Sequence, residues 1–217
     1  MKVLFTGDSI TDCGRNRGNM GSFGESYALM IAGELLYRMP EKGLVFMNQG
    51  CSGDKIVDLL ARWKRDCLNH APDVISILVG VNDVWHELGN RDGVSAEMFE
   101  KIYDIVLAET KTGLPNAKII LCEPFVLKAS ATESAFAKFE SEVKLRAGAV
   151  KRLADKHKCV FVPLQEAFNK ACEKAPAPYW LSDGVHPSPA GNMLMTREWI
   201  MATEGIIWPA LSAGNSP

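Results

Sequence analysis

Five short runs rich in Val, Ile, Leu and Phe recur along the chain, at 3–6, 44–48, 74–79, Lys118–Cys122 and 159–162. Longer helical patterns separate them, and this alternation constrains the fold more than any other feature. The runs carry little polar alternation, as expected for strands covered on both faces. Helices are predicted at 25–38, 55–69, 95–112, 134–157, 164–174 and 188–203. The fourth is the clearest, with Phe136, Phe139, Val143, Ala147, Val150 and Leu153 at steps of three and four. Repeated strand–helix alternation implies a parallel sheet with right-handed crossovers and helices on both faces. The predicted class is therefore α/β, a three-layer αβα sandwich. A chain of 217 residues fits one domain spanning 1–217, with 212–217 reading as a frayed tail.

Charge and composition exclude several partners. A net charge of −2, with no block of like charges, gives no reason to expect nucleic acid or an anionic lipid surface. No apolar run approaches the length of a membrane span. Met1-Lys2 is followed by only three apolar residues before Thr6-Gly7-Asp8, too short for a secretory leader, so a cytoplasmic protein is expected. Cys13, Cys51, Cys67, Cys122, Cys159 and Cys172 are scattered without ligand spacing, which argues against a disulfide framework or a zinc site. The sequence is silent on oligomeric state.

In such a sheet, ligands bind beyond the carboxyl ends of the strands, where strand order reverses. The polar turns fall there: 7–11 after the first run, 48–54 after the second, 80–83 after the third, and Glu123-Pro124-Phe125 after the fourth. Ser9, in Gly7-Asp8-Ser9-Ile10-Thr11, is the leading nucleophile. A serine hydroxyl needs an adjacent base, and the base an orienting partner. Asp183-Gly184-Val185-His186-Pro187 supplies both, His186 as base and Asp183 as its carboxylate. Alone, Asp183 reads as a turn residue or cap and His186 as a surface histidine. Hydrolysis also needs donors for a developing oxyanion. The Ser9 N–H, the Gly53 N–H and the Asn82 side-chain amide are the candidates.

Taken together, Gly-Asp-Ser-Ile, Asn-Gln-Gly-Cys-Ser-Gly-Asp, Gly-Val-Asn-Asp and Asp-Gly-Val-His occur in the order that defines a known family. The chain resembles the SGNH hydrolases, also called GDSL esterases and lipases, from Lys2 to about Trp199. The resemblance implies a flavodoxin-like sheet of five parallel strands ordered 2-1-3-4-5. It implies Ser9, Asp183 and His186 as the catalytic residues, an oxyanion hole of Ser9, Gly53 and Asn82, and no metal or organic cofactor. Ile10 replaces the leucine of the family's nickname, a conservative change.

Trp85, His86, Phe125, Tyr179 and Trp180 lie near predicted strand ends or just before the Asp183 block and are expected to line the substrate cleft. The family contains acetyl-sugar esterases, arylesterases, lysophospholipases and thioesterases. A compact chain without a long apolar lid resembles the short-chain, carbohydrate-directed members, so the expected partner is a small acetylated sugar. Rival nucleophiles are weaker: Ser52 misses the Gly-x-Ser-x-Gly elbow because Asp54 holds its last position, and Cys51 has no histidine-rich partner segment. His70 and His157 read as structural residues at helix ends. A different class is also open. Asp8, Asp54 and Asp83 could gather Mg²⁺ for phosphoryl transfer with Lys128, but that leaves His186 and Asn82 without a role. A flavin or phosphate binder using the glycine-rich 14–24 loop, with Arg15 and Arg17, lacks the phosphate-loop pattern.

Overall fold

The strands β1 (Lys2–Gly7), β2 (Val45–Gly50), β3 (Val74–Leu78), β4 (Lys118–Cys122) and β5 (Val160–Val162) form one parallel sheet in the order 2-1-3-4-5. The structure, a computed structural model, describes residues 1–208. The expected frayed end at 212–217 lies outside them. Both the alternation and the strand order agree with the sequence reading.

Side chains leave each strand to opposite faces, and each face has its own helices. From β1, Val3 and Phe5 pack with Ile31 and Leu35 of α2 (Tyr27–Arg38), Phe168 of α7 (Gln165–Ala171) and Trp199 of α9 (Pro189–Thr203). Leu4, between them, joins Met47 and Ile75 from the neighbouring strands against α3 (Ile56–Asp66), α5 (Ala96–Gly113) and α6 (Phe136–His157). Two tryptophans pin these layers by their indole N–H groups. Trp63 Nε1 donates to Thr110 Oγ1 at 3.0 Å, joining α3 to α5. Trp199 Nε1 donates to Ser76 Oγ at 2.9 Å, joining α9 to β3. Each such bond satisfies polar groups that burial would otherwise strand.

Three helices depart from the sequence expectation. The 80–83 segment is not a free turn but opens α4 (Val81–Asn90), directly after Gly80. Ser9–Asp12 forms the single turn α1, and Ala177–Trp180 the single turn α8. No described helix is long and apolar enough to cross a membrane.

Candidate active site

The order 2-1-3-4-5 reverses direction at β1, so the crevice lies beyond the carboxyl ends of β1 and β3. Ser9 follows β1 there. Asp8 caps α1 by accepting the Ile10 N–H at 3.0 Å, and Cys13 closes the turn in the left-handed region with its N–H on Ser9 O. The turn leaves the Ser9 side chain half-buried on the rim.

A tight loop carries the histidine. The Ser182 N–H donates to His186 O at 2.9 Å, and Leu181 bridges to Pro187. The loop is held from below by the Leu127 N–H on Gly184 O and the Ala131 N–H on Asp183 O. Pro189 opens α9, and Ser188 caps it by accepting the Gly191 N–H at 3.2 Å.

These elements bring together residues 177 positions apart: Ser9 Oγ lies 2.9 Å from His186 Nε2. His186 Nδ1 lies 2.7 Å from Asp183 Oδ2. A carboxylate can only accept, so Nδ1 carries the proton and Nε2 presents its lone pair to the Ser9 hydroxyl. Asp183 Oδ1 takes the Val185 and His186 N–H groups at 2.9 and 2.8 Å. Burial opposes the charge on Asp183, but these hydrogen bonds, with the imidazole, outweigh it and hold the carboxyl below its ordinary range.

The other two expected donors lie just after β2 and β3, the neighbours of β1 in the sheet. Gly53 lies after β2 with φ +89°, a conformation that favours glycine, and a Cβ there would meet nothing within 4 Å. Its N–H and that of Ser9 have no acceptor among the described residues. Asn82, in the first turn of α4, donates one amide hydrogen to Asp54 O at 3.2 Å and keeps the other. Trp85 stands edge-on to Phe139 and 6.0 Å from the His186 ring. His86, one position on, is half-buried, and its carbonyl accepts the Asp92 N–H.

Two of the expected cleft residues lie elsewhere. Phe125 is 1% exposed and packs on Phe168 at 4.6 Å, because the segment after β4 folds inward and its 126–127 backbone bonds to Gln165 and Gly184. Trp180 donates to Ala175 O and lines a separate cavity of about 420 Å³ between α7 and α9 with Lys170, Lys174 and Arg197. Tyr179 packs edge-on against Trp180.

The rival readings lose their groups to structural partners. Asp54 pairs with the buried Arg62 at 2.5 Å, and both Asp83 oxygens take the Ile56 N–H. Lys128 points to Glu133. Arg15 donates to Gly50 O and Arg17 to Asp12, so neither awaits an anion. The Cys51 thiol is pushed up by burial and by Asp54, which makes it a poor nucleophile. His157 bonds Asp104 at 2.5 Å, tying α6 to α5, and His70 sits 3.5 Å from Gln49. Among the described residues, no group of three His, Cys, Asp or Glu side chains is placed to hold a metal ion.

Arg62 was not singled out by sequence reasoning. Its guanidinium donates to Gln49 O and Gly7 O, gathering the ends of β2 and β1, and it also holds Asp54 beside Gly53. No local pattern marks it, since the two strand-end carbonyls it gathers lie 13 and 55 positions away in the chain. Asp12 escaped for the same reason.

A half-exposed hydroxyl, hydrogen-bonded to an imidazole that a half-buried carboxylate orients, on a parallel α/β sheet, defines a serine hydrolase. The comparisons agree. Residues 5–194 match the model of the GDSL-like lipase/acylhydrolase family, and the chain belongs to that family. An acetylxylan esterase from Geobacillus stearothermophilus is 34% identical over 208 residues, covering 92% of each chain. Among solved structures, a protein assigned as a GDSL-like lipase from Parabacteroides merdae superposes with a TM-score of 0.89 at 40% identity, over 93% of this chain and 94% of that one. The acetylxylan esterase Axe2 from Geobacillus stearothermophilus superposes with a TM-score of 0.83 at 33% identity, over 93% of each. The protein is a serine carboxylic-ester hydrolase.

Proposed function

We propose that the protein removes acetyl groups from carbohydrate esters through an acyl-Ser9 intermediate. The 2.9 Å contact between Ser9 Oγ and His186 Nε2, backed by Asp183, is the observation that carries this reading. His186 takes the hydroxyl proton as Ser9 attacks the ester carbonyl. The tetrahedral oxyanion accepts hydrogen bonds from the Ser9 N–H, the Gly53 N–H and the free amide hydrogen of Asn82. Collapse releases the alcohol, protonated by His186, and leaves acyl-Ser9. Water, deprotonated by His186, then frees the acid.

The alcohol class is supported by the relatives and by the rim. Axe2 is an acetylxylan esterase, and a serine-to-alanine and an aspartate-to-alanine form of it are both described as catalytic mutants. Here the His186 side chain is 42% exposed, so the reacting atoms open to solvent. Trp85 beside His186 offers a flat face of the kind that suits a sugar ring.

The test is hydrolysis of p-nitrophenyl esters from acetate to palmitate, beside peracetylated xylose. Acetate and the sugar ester are expected to be preferred, with turnover lost in Ser9→Ala. Preference for palmitate overturns the acetyl reading, and full activity in Ser9→Ala overturns the mechanism.

A further inference from the structure

Gly53 is held by nothing of its own. It has no side chain, a Cβ there would touch no atom within 4 Å, and its N–H is free among the described residues. An oxyanion donor of this kind works only if its direction is fixed before substrate arrives. Whatever fixes it must act through its neighbours.

On one side, Asp54 returns its N–H to Cys51 O at 3.1 Å and pairs with Arg62. On the other stands Ser52, and both of its donors converge on one oxygen. Asp12 Oδ2 accepts the Ser52 N–H at 2.9 Å and the Ser52 hydroxyl at 2.8 Å. The same oxygen takes Arg17 from the glycine-rich loop at 2.8 Å. Asp12 itself is 4% exposed and is the last residue of α1, the turn that begins with Ser9. Backbone packing makes this pairing possible: a Cβ on Gly50 would lie 2.3 Å from Asp12 N, so the end of β2 and α1 lie backbone against backbone.

We propose that Asp12 is a positioning residue, which through Ser52 fixes the Gly53 N–H relative to the Ser9 N–H, so that the two donors form one rigid unit. The inference rests on the acyl-Ser9 reading above. Burial opposes the charge on Asp12, but Arg17 and the two Ser52 donors more than offset it and hold the carboxyl below its usual range. The clamp is thus charge-assisted, the stronger kind of hydrogen bond. A misplacement of about 1 Å at a reacting centre costs up to ~10²-fold in rate.

The experiment compares Asp12→Ala, Asp12→Asn and Ser52→Ala with the parent protein on p-nitrophenyl acetate, each normalised by burst titration of active serine. Asp12→Ala is expected to lower kcat by about 10- to 100-fold with KM within about twofold, since the loss falls on the oxyanion. Asp12→Asn keeps an acceptor in place and is expected to recover most of that loss. Ser52→Ala keeps the backbone bond and is expected to lose about two- to fivefold. If Asp12→Ala does not fold, the Asp12→Asn/Ser52→Ala double mutant replaces it, and the two changes are expected to be non-additive. Unchanged kcat in Asp12→Ala, a loss confined to KM, or additivity in the double mutant overturns the positioning role. An inactive Ser9→Ala beside a fully active Asp12→Ala sinks only this inference, whereas a fully active Ser9→Ala sinks the mechanism beneath it.

Discussion

The carboxyl of Asp8 is wholly buried next to Ser9, with one oxygen on the Ile10 N–H and the other without a partner among the described residues. Burial pushes its pKa up to about 7 from an ordinary 3.8, the Ile10 bond and His186 pulling against it and the neighbouring Asp83 and Asp54 adding to it. Asp83 is pushed up to about 7 as well, again chiefly by burial. On the proposed mechanism, a proton on Asp8 spares the forming oxyanion a negative neighbour. It also makes stability depend on pH. Between pH 3.8 and 7 the folded chain holds a proton that the unfolded chain has released, so this contribution is full below 3.8 and lost as pH rises through 7. Asparagine caps a helix as well as aspartate and carries no charge. Asp8→Asn is therefore expected to raise Tm at pH 8 by roughly 2–8 °C and to leave it nearly unchanged at pH 4, read by circular dichroism. An equal gain at both pH values would assign the effect to packing.

Among the elements, α8 and α9 frame the histidine loop, and Ser188 joins them. Its hydroxyl donates to Tyr179 O at 2.6 Å and accepts the Gly191 N–H, two residues after His186. Ser188→Ala is expected to cost about 1 kcal/mol, a Tm fall of about 2–4 °C, with kcat down only a few-fold. Thermal melts beside steady-state rates check this, and an unchanged Tm would mean the cap carries no weight. Strands and long helices were legible because burial on two faces and a 3.6-residue stripe leave plain patterns, as in Phe139, Val143 and Val150. α4 was not. Only Val79 and Gly80 separate β3 from it, so Gly-Val-Asn-Asp reads as a turn. α8 is hidden by Pro176 and Pro178, which suggest loop but here stand at its cap and first turn.

Across the whole molecule, the outcome at the site divides by where each residue's meaning resides. Ser9, Gly53, Asn82, Asp183 and His186 sit in local motifs whose spacing reveals them, and the sheet order brings them to one rim. Asp12 reaches Ser52 and Arg62 reaches Gly7 across tens of residues, contacts that no local pattern records. Phe125 misled because an aromatic after a strand end looks alike whether the chain turns outward or, as here, inward. Trp199 shows the same long-range logic in the core. It comes from the helix after His186, lies 5.7 Å from Phe5 in the strand before Ser9, and bonds Ser76. Trp199→Phe is expected to cost about 2–3 kcal/mol, lowering Tm by roughly 5–10 °C while kcat below the transition stays near that of the parent. A large loss of kcat at low temperature would show that this contact also sets the site.

The separation of Ser9 from His186 by 177 positions has a consequence for synthesis. The ribosome makes Ser9 well before His186. On the proposed mechanism, until the His186 loop and α9 emerge and dock, Ser9 is an ordinary alcohol in a chain that cannot yet attack an ester. A nascent or prematurely terminated chain therefore carries the reactive residue without the reactivity, and chemistry begins only when folding has closed the sheet over its full length.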